Sequence, residues 1–148
     1  MTRIIFHVNV PQPLEYACRL LRKAYRVGAK MAVWGAPETL QALDRLLWTF
    51  DPTEFIPHAT LLSWAGHGPE IEPEGPGIPI YLLTDVQATP SSVVFLLNLH
   101  DKVVEPLNQF ERVIEIISNQ EPHLQSARQR WKRYVAAGYS PEKHEAKL

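Results

Sequence analysis

Cysteine is nearly absent from this chain. Cys18 stands alone among 148 residues, so no intrachain disulfide can staple the fold. The Met1-Thr2-Arg3 start runs straight into Ile4-Ile5-Phe6 without a long apolar leader, and together with the single cysteine this reads as a cytoplasmic protein. Long apolar runs are missing too. The longest, such as Val93 to Leu97, are strand-sized and far short of the ~20 residues a helix needs to span a bilayer, so an integral helical membrane protein is excluded. Net charge is close to zero: 15 Lys+Arg oppose 16 Asp+Glu, for a formal −1. The molecule as a whole therefore has no field that would hold it to nucleic acid.

Glycine is scarce where nucleotide chemistry would need it. Of the seven glycines, four fall between Gly66 and Gly77, together with three prolines, which marks a surface loop. The first strand is followed instead by Val10-Pro11-Gln12-Pro13, and prolines lack the N–H donors of a phosphate cradle. Neither a P-loop nor a Gly-x-Ser-x-Gly elbow is present. The six histidines, His7, His58, His67, His100, His123 and His144, show no metal-ligand spacing, so neither a metal nor a cofactor is expected.

The chain does contain a regular alternation of strand-like and helix-like segments. Residues 3–9 form a β-branched, apolar run stopped by Pro11 and Pro13. From Pro13 to Val27 the residues Leu14, Ala17, Cys18, Leu21, Ala24 and Tyr25 recur at helical spacing, with Gly28 as the stop. This places Cys18 in the core as a small buried thiol. Residues 30–34 read as a second strand and Pro37 to Phe50 as a second helix. Further strands are expected at 78–84, 92–97 and 112–118, a short one is ambiguous between 55–57 and 61–64, and a last helix runs from about Pro122 to Ala137.

The pattern predicts an α/β fold, a three-layer Rossmann-like sandwich with a mostly parallel central sheet and helices on both faces. A chain of this length can bury roughly 70% of its unfolded surface in one core, so residues 1–139 are expected to form a single domain and 140–148 a flexible tail.

Two segments exceed ordinary core patterning. Leu46 to His58 clusters bulky side chains around a helix end and a proline-delimited loop, where Trp48 and Phe55 could be held as interface anchors. Leu124 to Val135 is basic: Arg128, Arg130, Lys132 and Arg133 lie between Pro122 and Pro141 with no acid among them. On a helix, positions 124, 128, 131 and 135 share one stripe, apolar with a cationic edge. Core packing with a solvated basic side accounts for the same pattern. Glu111 and Glu115 sit near Arg112 and Arg128, so ion pairing explains them better than acid-base catalysis.

These motifs, taken in order, resemble the chi subunit family of bacterial DNA polymerase III. The resemblance rests on Leu43-Asp-Arg-Leu-Leu-Trp-Thr-Phe-Asp-Pro-Thr-Glu-Phe-Ile-Pro-His58, Val94-Phe-Leu-Leu-Asn-Leu99, Phe110-Glu-Arg-Val-Ile-Glu-Ile-Ile117 and Ala127-Arg-Gln-Arg-Trp-Lys-Arg-Tyr-Val-Ala-Ala-Gly-Tyr139. It implies a non-catalytic clamp-loader accessory subunit without a nucleotide site. By similarity, Trp48 and Phe55 match the aromatic pair used toward the psi subunit, a surface also used toward a helicase-like repair protein. The acidic tail of single-stranded-DNA-binding protein, which ends in phenylalanine, would meet Arg128, Trp131 and Lys132, with Ile117 and Val113 as the floor. Leu124 stands where some relatives carry lysine, and Trp131 where some carry tyrosine. Nucleic acid would then be contacted only indirectly. Weak single-strand binding and a small α/β enzyme remain the alternatives: four cations on one helix release few counterions, and an enzyme would need a polar pocket at the carboxyl ends of the strands.

Overall fold

A computed structural model describes residues 2–49, 58–61, 80–105 and 107–145. The elements in chain order are β1 (Arg3–Val10), α1 (Pro13–Arg26), β2 (Met31–Trp34), α2 (Pro37–Thr49), β3 (His58–Leu61), β4 (Ile80–Leu83), β5 (Phe95–Asn98), β6 (Arg112–Ser118), α3 (Glu121–Ala136) and β7 (Glu142–Glu145). The seven strands form one sheet in the order β3-β4-β2-β5-β6-β1-β7, and every pairing among them is parallel. The architecture is the Rossmann-like α/β sandwich that the strand-helix alternation predicts.

The direction of each crossover decides which face a helix covers. The steps β1 to β2 and β2 to β3 move one way along the sheet, and right-handed crossovers place α1 and α2 on the same face. The step from β6 to β7 moves the opposite way and places α3 on the other face. Two cores result. Cys18 and Leu21 of α1 and Leu40, Leu43 and Leu47 of α2 pack on Val33, Leu82 and Leu97. Beneath α3, Ala127 and Tyr134 pack on Ile4, Phe6, Val113 and Ile117. All four residues of β2 and of β4 are buried, as expected for central strands covered on both sides. Burial pushes the Cys18 thiol up to about 12, so it remains a protonated core group.

Both α1 and α3 end in the same six-to-one turn. Gly28 (φ 77°) and Gly138 (φ 96°) lie in the left-handed region; the amide of Ala29 donates to the Ala24 carbonyl, and that of Tyr139 to the Tyr134 carbonyl. Asn9 also has positive φ, at 59°, where the register of β1 against β6 shifts between His7 and Val10. This bulge turns the end of β1 away from the ladder, and asparagine tolerates the conformation better than most residues.

Several expectations change in detail. The ambiguous short strand falls at His58–Leu61, in register with β4. The strand expected at 92–97 begins only at Phe95, because the amide of Val93 closes a turn on the Pro90 carbonyl. Phe55 and the glycine-rich segment from Gly66 to Gly77 lie outside the described residues. One difference falls within residues 140–148, expected to be a flexible tail, and concerns 142–145 alone. Glu142–Glu145 forms an edge strand parallel to β1. Its polar sequence gives no strand signal. Pairing with the open edge of β1, pinned by a two-pronged Arg3–Glu142 ion pair at 3.0 and 3.1 Å, supplies the order, and charged residues suit an edge.

Candidate functional site

The carboxyl ends of β1, β6 and β7 and one side of α3 enclose a cleft of about 510 Å³. Each element contributes by its own periodicity. Alternation along β1 places Phe6 and Val8 on the α3 face, and Ile117 lies on the same face of β6. Helical spacing aligns Leu124, Arg128 and Trp131 along the rim, with Lys132 four residues after Arg128. Lys143 and Glu145 come from β7, in register with Phe6 and Val8. Asn9 reaches the cleft from the bulge.

Trp131 is a fixed wall. Its ring meets Phe6 edge to face with centroids 5.0 Å apart, and Phe6 in turn meets Tyr134 at 6.0 Å, so the aromatic side of the cleft is continuous with the core. Arg128 is exposed and lies 3.5 Å from Glu121, which occupies the first turn of α3. Lys132 and Lys143 make no ion pair with another described residue. The cleft therefore combines an apolar floor with cations that a ligand can reach, and it suits a group carrying both a ring and a carboxylate.

Of the residues expected at this site, Arg128, Trp131, Lys132, Ile117 and Leu124 line the one cleft. Val113 does not. It faces α3 as Ile117 does, but lies four residues further back along β6, fully buried in the core. Val135 continues the helical stripe yet is 51% exposed and outside the cleft. Sequence reasoning missed Phe6, Val8, Lys143 and Glu145. The alternation Ile4, Phe6, Val8 was a usable signal, whereas nothing local announces β7. Trp48, at the end of α2, is 56% exposed.

What holds α3 over the sheet is a buried polar cluster. The Glu115 carboxylate, fully buried, accepts hydrogen bonds from Arg130 Nε at 3.1 Å, Asn98 Nδ2 at 2.9 Å and Tyr134 Oη at 2.6 Å. Tyr134 Oη also accepts from the Val104 amide at 3.0 Å. Burial raises the Glu115 carboxyl above its ordinary range, opposed by Arg130, Tyr134 and Asn98, and burial beside Glu115 raises the Tyr134 phenol. Arg112 and Arg128, the expected partners of Glu115, are not the ones used: Glu115 points beneath α3, where only the inward-facing Arg130 can follow it.

A second crevice of about 480 Å³ lies on the other side of α3, at the carboxyl ends of β5 and β6. Ligands of open α/β sheets commonly sit at such a place. Three of its side chains are engaged, Arg130 with Glu115 and Ser126, His123 with Ser118, and His100 with Asp101, while Glu38 and Thr39 also line it. His100 also stacks on Trp34, with centroids 4.7 Å apart. No group of three or more His, Cys, Asp or Glu among the described residues could hold a metal ion, and no described helix is long and apolar enough to cross a membrane.

Fold and cleft together define a Rossmann-like α/β protein that carries a cationic, aromatic-walled cleft beside helix α3. Residues 1–142 match the family model for the DNA polymerase III chi subunit, HolC, and the chain belongs to that family. It is 29% identical over 151 residues to the DNA polymerase III subunit chi of Pseudomonas aeruginosa, covering 97% of this chain and 96% of the relative. It is 24% identical over 128 residues to that of Escherichia coli, covering 85% and 80%. Among solved structures, the C-terminal domain of S. cerevisiae Dbp5 is similar in fold, with a TM-score of 0.57 at 7% identity, covering 98% of this chain and 90% of that one.

Proposed function

We propose that this chi-family chain is a non-catalytic, cytoplasmic adaptor of the clamp-loader complex, whose α3 cleft receives the acidic C-terminal tail of single-stranded-DNA-binding protein. The observation that carries this reading is the conjunction of Arg128 and Lys132 on one rim with the apolar floor of Phe6 and Ile117 and the Trp131 wall. A terminal phenylalanine needs both parts at once: an apolar seat for the ring and a cation for the α-carboxylate. In the second crevice the arginine and both histidines, Arg130, His123 and His100, are each engaged by another side chain, which favours an adaptor over an enzyme. The psi subunit, and at the same surface a helicase-like repair protein, would dock at the end of α2, where Trp48 is exposed, with Phe55 as the second anchor.

Calorimetry with an acidic peptide ending in phenylalanine tests the cleft. Charge-assisted contacts contribute roughly 1.5–3 kcal/mol when partly desolvated, so Arg128→Ala weakens binding about tenfold or more. Amidating the terminal carboxylate gives a similar loss, and the two changes together cost little beyond either alone. Equal affinity for wild type and Arg128→Ala, or for peptides with and without the phenylalanine, would refute the assignment. For psi, Trp48→Ala costs on the order of 2 kcal/mol in heterodimer affinity and leaves peptide binding intact.

A further inference from the structure

The wall of the cleft facing α3 is built by β7, and its charges are not symmetric. Strand periodicity separates the two faces of Glu142–Glu145: Glu142 and His144 turn away, toward Arg3 and His7, while Lys143 and Glu145 turn into the cleft, about 7 Å apart along the strand. Glu145 is the one acid among the described residues lining the cleft, against the three cations Arg128, Lys132 and Lys143. Arg128 is already partly satisfied by Glu121 at 3.5 Å. Lys143 has no such competitor among the described residues, and its side chain is exposed.

We infer that β7 sets the ligand preference of the cleft: Lys143 reads acidic side chains preceding the ligand's terminal residue, and Glu145 weakens binding by repelling them. This rests on the reading of the cleft as a receptor for an acidic peptide. The division of labour follows from placement. Arg128 and Lys132 stand beside Trp131 on the helix, within reach of a carboxylate attached to the residue whose ring is seated there. Lys143 lies across the cleft on the strand, where the rest of an extended peptide has to pass. A ligand entering along β7 meets Lys143 and Glu145 in turn, so the pair favours acids at one position and penalises them two residues along.

The test uses the full chain and two peptides that both end in phenylalanine with a free carboxylate, one acidic upstream and one with those acids replaced by their amides, with Kd read by fluorescence anisotropy. Lys143→Gln weakens the acidic peptide about three- to fivefold and leaves the amide peptide unchanged, and Glu145→Gln tightens the acidic peptide about threefold, as expected for partly exposed charges. Both residues are exposed, so neither change threatens the fold. If wild type binds the acidic peptide and both variants bind it equally well, β7 is a passive wall and the inference is overturned while the cleft assignment stands. An equal loss on both peptides for Lys143→Gln would place this lysine on the terminal carboxylate and overturn the division proposed. Wild type binding neither peptide removes the cleft assignment and this inference together.

Discussion

Arg130 Nε stands 3.1 Å from Glu115 Oε1 with both side chains buried, at 7% and 0% exposure, so the last helix is tied to the sheet by an ion pair out of reach of water. Such a pair adds less net stability than its geometry suggests, because both ions are desolvated. Its worth is positional. Arg130 fixes how α3 is rotated about its axis, and that rotation decides whether Arg128 and Trp131 face the cleft.

Breaking one half of the pair strands the other. Arg130→Met is expected to cost about 3–5 kcal/mol in urea unfolding, because Glu115 is left as a buried, uncompensated acid. Adding Glu115→Gln to it recovers much of the loss. A double variant as unstable as the single one would show that the remaining hydrogen bonds, not the charge, dominate.

Val113 and Ile117 separate core from cleft. Val113→Ala removes buried methyl groups and is expected to cost about 2 kcal/mol of stability with no change in peptide affinity. Ile117→Ala lowers stability and also weakens the peptide, since Ile117 lines the cleft. Parallel unfolding and calorimetry on the two variants check the distinction.

Acid should loosen the region around His7. Burial and the neighbouring His144 lower its pKa from 6.5 to about 4, and its ring meets Tyr16 of α1 as well as His144 of β7. Because the folded value is depressed, the unfolded chain binds the proton first. Stability is therefore lost as pH falls from about 6.5 toward 4 and changes little below that through this group. Replacing His7 with glutamine should flatten the unfolding free energy across that window relative to wild type.

The turn that ends α3 depends on glycine. A Cβ at Gly138 would meet nothing within 4 Å, so the cost of Gly138→Ala is one of backbone conformation at φ 96°, about 1 kcal/mol. Chemical denaturation measures it directly; an unchanged midpoint would mean that the turn relaxes.

The sequence carries the helices and central strands plainly, because Leu40, Leu43 and Leu47 or Ile80 to Leu83 announce their period and their burial together. On α3 the stripe of Leu124, Arg128 and Trp131 was legible for the same reason. β7 was not: Glu142-Lys-His-Glu145 has no apolar period, and its order comes from an edge supplied by residues far away in the chain. The partner of Glu115 was misread because sequence proximity says nothing about which arginine faces inward. Val113 and Ile117 share a face, but only the sheet shows where along that face the helix stops covering it.

The strand order also governs how the protein is made. β1 is synthesised first, yet its neighbours are β6 and β7: Arg3 pairs with Arg112 and Ile5 with Glu142. On the ribosome the run Ile4, Ile5 and Phe6 must therefore wait, unpaired, while the rest of the sheet is translated. Pairings this distant in sequence carry a large loop-closure cost and make folding slow. The cleft, with one wall from the earliest strand and another from the latest, is among the last features to exist, so a nascent chain cannot engage a partner there before the sheet has closed around β1.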